Sequence, residues 1–118
     1  MTFVGVCGGR DFDDRRLADR ILESNVTADD VIVHGDSAGA DRIAGAWAFA
    51  TNHFQVKVPA PWNKMGKSAG MRRNAVIAAL PLRLLIAFPG GVGTAGMVRL
   101  ARSRAIPVLE VQDAEVPK

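Results

Sequence analysis

The chain has no tyrosine, two tryptophans and five phenylalanines among its 118 residues. So small an aromatic complement argues against the stacking platforms that hold single-stranded nucleic acid. Cysteine occurs once, as Cys7, which excludes an intramolecular disulfide and fits a reducing compartment. Its place late in an apolar first strand reads as a small buried filler rather than a nucleophile. No apolar stretch approaches the roughly 20 residues needed to span a bilayer, so no membrane partner is expected. The N-terminus lacks a basic region and its apolar run stops at Gly8, so no secretory signal is read. These absences point to a soluble, cytoplasmic protein. Acids are missing too, because no Asp or Glu falls between Arg42 and Leu109. Lys57, Lys64, Lys67, Arg72, Arg73, Arg83, Arg99, Arg102 and Arg104 all lie there. A catalytic carboxylate must come from the Asp11–Asp41 stretch or from Glu110, Asp113 or Glu115. Arg99, Arg102 and Arg104 read as a solvated face at the end of a last helix, where the dipole favours cations. No Cys/His cluster has metal-ligand spacing, so neither a metal nor another cofactor is expected. The net charge of +3 permits nucleic acid without demanding it.

What is present alternates. Five β-like runs, at 3–7, 31–34, 55–58, 83–88 and 107–111, are separated by segments with helical spacing. Leu17, Ile21 and Leu22 follow Asp13 or Asp14 as a possible N-cap. Ile43, Trp47 and Ala50 mark a second helix, whose small residues allow close packing on a sheet. Met71, Ala75, Ala78 and Ala79 mark a third, ended by Pro81, and Met97, Leu100 and Ala101 a fourth. Continuous apolar strands alternating with helices imply an α/β fold: a single Rossmann-like domain over residues 1–118, with a five-stranded parallel sheet and helices on both faces. The tail Val116-Pro117-Lys118 reads as frayed.

In such a sheet, ligands bind beyond the carboxyl ends of the strands. Phe88-Pro89-Gly90-Gly91-Val92-Gly93-Thr94 follows the most apolar run and precedes a helix, which makes it a phosphate cradle. Its glycines let an anion approach the backbone, and free N–H groups with the helix dipole supply a positive field. Gly8-Gly9-Arg10-Asp11 follows strand one, Gly35-Asp36-Ser37-Ala38-Gly39-Ala40-Asp41 follows strand two, and Pro59-Ala60-Pro61-Trp62-Asn63-Lys64 forms a loop after strand three. Three of these four loops are glycine-rich and all share one rim, so a phosphate or ribose site is expected there. Arg10 either grips a phosphate through its planar fork or pairs with a neighbouring Asp. Asp36 and Asp41 are candidates for ribose hydroxyls, with Asp41 alternatively a helix cap. Arg72 and Arg73 start the third helix, where the dipole disfavours a cation, so at least one should face an anion. His34 reads as a structural histidine and His53 as a surface one. Trp62 either stacks on a base or packs in the core.

Two motifs match formally and fail in context. Gly66-Lys67-Ser68 ends like a Walker A loop, but Pro61 occupies its first glycine position and no strand immediately precedes it. Gly91-Val92-Gly93-Thr94-Ala95-Gly96 fits G-x-G-x-x-G, yet only one strand remains after it for a dinucleotide half.

Together these residues resemble the SLOG superfamily, and within it the YspA-like branch, over nearly the whole chain. The resemblance rests on Gly8-Gly9-Arg10-Asp11-Phe12, on His34-Gly35 with Gly39-Ala40-Asp41, and on Trp62 with Gly66-Lys67. It continues through Ala69-Gly70 with Arg73-Asn74 to Phe88-Pro89-Gly90-Gly91-Val92-Gly93-Thr94-Ala95. It implies a nucleotide-binding Rossmann-like fold that senses or processes a nucleotide-derived small molecule, and a homodimer or higher homo-oligomer. In the related LOG-type phosphoribohydrolases, which cleave the N-glycosidic bond of nucleoside monophosphates, an arginine and a glutamate after the P-G-G-x-G-T turn do the chemistry. Arg73 looks like that arginine, whereas Gly96 and Met97 stand at the glutamate positions. Pro61 stands where the YspA-like pattern has an acid before Trp62. Both departures weaken the enzyme reading. The first expectation is therefore a binder of a nucleotide or ADP-ribose-like metabolite, with phosphate on Gly90, Gly91, Gly93 and Thr94 helped by Arg73 and Arg10. The second is a hydrolase in which Asp36 or Asp41 works with Arg73. The third, a single-stranded nucleic-acid module, follows from the DNA-processing A proteins that share the superfamily.

Overall fold

A computed structural model describes residues 1–112; the tail at 116–118 lies outside the described residues. Strands β1 (Thr2–Cys7), β2 (Asp30–His34), β3 (Gln55–Lys57), β4 (Leu82–Ala87) and β5 (Val108–Glu110) form one sheet. Its order is β3-β2-β1-β4-β5 and every pairing is parallel. The connections are α1 (Arg15–Asn25), α2 (Ala40–Ala50), a four-residue α3 (Trp62–Met65), α4 (Ala69–Ala78) and α5 (Val92–Ser103). The chain runs from β1 outward through β2 to β3, then returns to the other side of β1 as β4. The direction of winding therefore reverses between β1 and β4, and a crevice opens outside their carboxyl ends.

Successive side chains on a strand point to opposite faces, and each central strand divides accordingly. Val4, Val6, Ile32, Ile86 and Phe88 join Ala18 and Leu22 of α1 and Ala44 and Trp47 of α2 in one core layer. Val33, Leu85 and Ala87 join Ile77 and Ala78 of α4 and Met97, Val98 and Ala101 of α5 in the other. Both faces of the sheet are thus covered, as continuous apolar strands require. Asp14 provides the N-cap of α1, its Oδ1 accepting the Leu17 N–H at 3.1 Å.

The charge inside β4 has a partner two strands away. Arg83 donates to Asp30, a buried residue at the start of β2, and to the Asn25 carbonyl. Asp30 also accepts from the Thr2 hydroxyl and the Thr27 N–H. The Arg83 guanidinium holds the Asp30 carboxyl well below the usual carboxylate range.

Several local expectations need correction. The segment after strand three is not all loop, because α3 begins at Trp62. Gly66, at φ +57, ends α3, and a 3-10 turn at Gly66–Ser68 leads into α4. The inward side of α4 is Ala69, Ile77 and Ala78, while Met71, Ala75 and Ala79 are exposed. Strand β4 stops at Ala87, although Phe88 remains fully buried against Phe12, with ring centroids 5.0 Å apart. His53 is half-buried rather than superficial, stacked 4.9 Å from Trp47 and bonded to Thr51 and the Thr27 carbonyl. No helix among the described residues is long and apolar enough to cross a membrane.

Candidate functional site

Backbone hydrogen bonds join the strand-end loops to one another. The Gly9 N–H donates to the Pro89 carbonyl at 2.9 Å, tying the β1 loop to the β4 loop. The Ala40 N–H donates to the Gly9 carbonyl at 3.2 Å, tying in the β2 loop. Gly39 makes that second contact possible. Its φ of +81 is a conformation L side chains rarely adopt, and a Cβ there would collide with the Gly9 and Arg10 carbonyl oxygens.

Between these loops and helices α4 and α5 lies a cavity of about 630 Å³. Its floor is apolar, built from Cys7 of β1, Leu85 of β4, Ile77 of α4, and Met97 and Leu100 of α5. Its rim collects most of the residues singled out from the sequence. Gly8, Gly9 and Arg10 come from the β1 loop, Gly35 and Ser37 from the β2 loop, and Asp41 from the first turn of α2. Trp62 with Arg73 and Asn74 form one wall, and Gly91, Gly93 and Thr94 the start of the other. Pro89 and Gly90 belong instead to a second cleft of about 710 Å³, which shares Gly9, Arg10 and Gly91 with the first.

Arg73 is the most constrained charge in the site. Its Nε donates to Asn74 Oδ1 at 3.0 Å, and one terminal nitrogen donates to the Gly35 carbonyl at 3.0 Å and reaches the Ser37 hydroxyl at 3.5 Å. The guanidinium lies so close to Gly35 that any side chain at that position would overlap it. Arg72 points elsewhere, exposed, with its Nε donating to the Ser68 hydroxyl at 3.3 Å. Of the two arginines expected to face an anion, Arg73 is the one on the cavity.

The two candidate acids separate. Asp41 is buried, and its Oδ2 accepts the Gly35 and Ser37 N–H groups at 3.1 and 3.2 Å. Burial pushes its carboxyl above the usual carboxylate range, against the pull of those two N–H groups, His34 and Arg73. Asp36 is not on the cavity. It adopts φ +56, a left-handed conformation that Asp tolerates better than most residues, and its carboxylate sits 3.9 Å from Arg42 Nε. Its N–H donates to His34 Nδ1, so the proton of that ring resides on Nε2, which meets Gln55 Oε1 at 2.9 Å. His34 is accordingly a structural histidine.

The open alternatives for other residues resolve as well. Arg10 has no acidic partner within 4.0 Å among the described residues; its guanidinium sits 5.4 Å from the centre of the Trp62 ring. Trp62 is 45% exposed at the cavity wall, not packed in the core. Cys7 is only half-buried and borders the cavity floor, yet its thiol is pushed up to about 12, chiefly by burial and then by Asp41. A thiol so hard to ionise is a poor nucleophile.

Sequence reasoning missed two features. One is the apolar floor, whose residues look like ordinary core in any periodicity. The other is Lys67 and Arg99, both on the cavity and both exposed. Arg99 was expected on a solvated face with Arg102 and Arg104. Among the described residues only Arg102 has an acidic partner there, Glu110 Oε2 at 2.7 Å. No group of three or more His, Cys, Asp or Glu among the described residues could hold a metal ion.

Two comparisons bear on this arrangement. The family profile YAcAr, described as the YspA, cpYpsA-related SLOG family, matches residues 2–65. The Gene 61 protein of Mycobacterium phage D29 is 34% identical over 125 residues, covering 96% of this chain and 98% of that protein.

Proposed function

Because the chain belongs to the YspA, cpYpsA-related SLOG family, we propose that it binds a nucleotide or nucleotide-derived metabolite in the cavity at the carboxyl edge of its sheet, as a sensor or ligand-processing module. One observation carries the reading: an apolar floor and a helix N-terminus with an arginine beside it open into the same cavity at the point where the sheet reverses. A phosphate would sit on the Gly91, Gly93 and Thr94 end of α5, whose first turn carries no acid. Arg73 supports this placement, since Nε and one terminal nitrogen are held by protein acceptors and the other is left for the ligand. A base would rest on the floor beside Trp62. The Asp41 oxygen without a backbone partner would accept a ribose hydroxyl. Pro89, Gly90 and the Gly8–Arg10 backbone hold the two loops at the spacing that this pose needs.

Native mass spectrometry of protein purified from cells tests the reading directly. The expected result is a retained small molecule with the mass of a nucleotide derivative, lost in Arg73→Ala. Protein that neither retains such a molecule nor binds one from a nucleotide panel would refute it.

A hydrolytic reading has one observation in its favour, the placement of Asp41 on the cavity with a carboxyl raised by burial. It would pair Asp41 with Arg73 and leave Asp36 out. Against it stand Gly96 and Met97, neither of which can stabilise a developing oxocarbenium centre. Measuring free-base release from the same panel separates the two. The binder reading expects none, and turnover abolished by Asp41→Asn would replace it with the enzyme. The homo-oligomer belongs to the same proposal, and sedimentation velocity should give a mass of at least two chains. Single-stranded DNA should show no salt-dependent binding in competition with nucleotide.

A further inference from the structure

Among the described residues, four cations border the main cavity: Arg10, Lys67, Arg73 and Arg99. Among the described residues Asp41 is the one acid on it, buried and already bonded to two backbone N–H groups. That surplus exceeds what a single phosphate needs. The α5 N-terminus and Arg73 suffice for one anion, and Arg10 is engaged with the Trp62 ring.

Lys67 and Arg99 remain, and they come from opposite walls. Lys67 lies in the 3-10 turn that leads into α4, and Arg99 lies on α5. Both are exposed, and neither forms an ion pair with an acid among the described residues. Helical side chains lean toward the N-terminus of their helix. Arg99 does so over Gly96, where its terminal nitrogen comes within 3.9 Å of the point a Cβ would occupy. With no side chain at residue 96 beside it, Arg99 borders the cavity from the helix that begins at the Gly91 turn. A positive charge held there disfavours a developing cation and favours a second anion.

We propose that Lys67 and Arg99 form a second anion subsite, and that the ligand is a nucleotide carrying at least two phosphates rather than a monophosphate. The proposal rests on the nucleotide reading and names the ligand's charge. The first phosphate takes the α5 N-terminus and Arg73. The next takes Arg99 from one wall and Lys67 from the other, which closes the mouth electrostatically over the bound molecule. A guanidinium offers two parallel donors to a phosphate and an ammonium a compact charge.

Isothermal titration of AMP and ADP, GMP and GDP, CMP and CDP, and UMP and UDP decides the matter. For the base that binds, the diphosphate should be tighter than the monophosphate by about tenfold or more, as expected for charge-assisted hydrogen bonds. In the Arg99→Gln, Lys67→Gln double variant the diphosphate should lose most of that advantage, while the monophosphate loses much less. Arg99→Lys should restore part of it, and raising the salt concentration should shrink it. Both residues are exposed, so an unchanged melting temperature would show that the variants fold. Equal affinity for the two members of every pair, or a preference that survives the double variant, would overturn the second subsite. If monophosphates still bound through Arg73, the nucleotide reading would stand while this one fell. Binding of no nucleotide at all would remove both.

Discussion

Arg73 illustrates how one side chain can dictate the residue type of another far away in sequence. Its guanidinium occupies the space that a Cβ at residue 35 would need, so Gly35 is there because Arg73 is. Gly35→Ala should push the guanidinium off its carbonyl and asparagine partners. We expect nucleotide affinity to drop by about tenfold or more, the worth of a charge-assisted bond, with the fold retained by circular dichroism. Asp41 makes a second prediction at this scale. Its folded-state pKa lies above the unfolded value of 3.8, so the folded protein holds that proton more tightly. The stability this confers is complete below pH 3.8 and is lost as pH rises through the folded pKa. Asn at this position can keep the acceptor oxygen but has nothing to ionise. Urea unfolding across this window should therefore show Asp41→Asn gaining stability relative to the parent chain as pH rises. A difference that stays flat with pH would mean the carboxyl is not raised.

Among the elements, α4 shows most clearly where periodicity misleads. Gly70, Arg73, Asn74 and Ile77 lie on one side of the helix by i, i+3 and i+4 spacing, and that side faces the cavity. A polar cavity wall interrupts the apolar stripe, so Met71, Ala75 and Ala79 offer a better-looking stripe that is in fact exposed, with Met71 at the cavity. Helix α1, remote from the cavity, carries no such conflict. Of Leu17, Ile21 and Leu22, the first and last are buried and Ile21 packs half-buried against the same core, and the cap belongs to Asp14 rather than Asp13. Asp14→Ala should cost about 1 kcal/mol in denaturant unfolding, and Asp13→Ala much less. Equal effects would mean that neither carboxylate caps the helix.

For the molecule as a whole, the reversal of winding between β1 and β4 puts the site at one edge of the sheet, and an ion pair clasps the opposite edge. There Arg83 of β4 crosses β1 to reach Asp30 of β2, a contact between strands that are not neighbours. Replacing Arg83 by Met strands a buried carboxylate. We expect a loss of about 2 kcal/mol, less than for a fully buried pair because Arg83 is partly solvated. The folded pKa of Asp30 is depressed, so its contribution is present above the ordinary value of 3.8 and disappears as pH falls. Acid unfolding of Arg83→Met should accordingly lose the part of its pH dependence that Asp30 supplies. An unaltered acid profile would contradict this assignment.

The alternation of apolar runs and helical segments, the parallel sheet and the glycine-rich rim were legible in the chain itself. Each depends on short-range rules: backbone conformations open to glycine, the two periodicities of helix and strand, and the burial that parallel strands demand. The tertiary structure decided which groups share the cavity. Asp36 and Asp41 flank the entry to α2, yet a left-handed turn at Asp36 sends its carboxylate to Arg42 while Asp41 is buried against the site. Arg99 looks like a solvated helix charge until Gly96 leaves it uncovered and α4 supplies the facing wall. Where a side chain points, and across what gap it meets another, depends on torsions and packing between distant segments, which no local pattern of residues encodes.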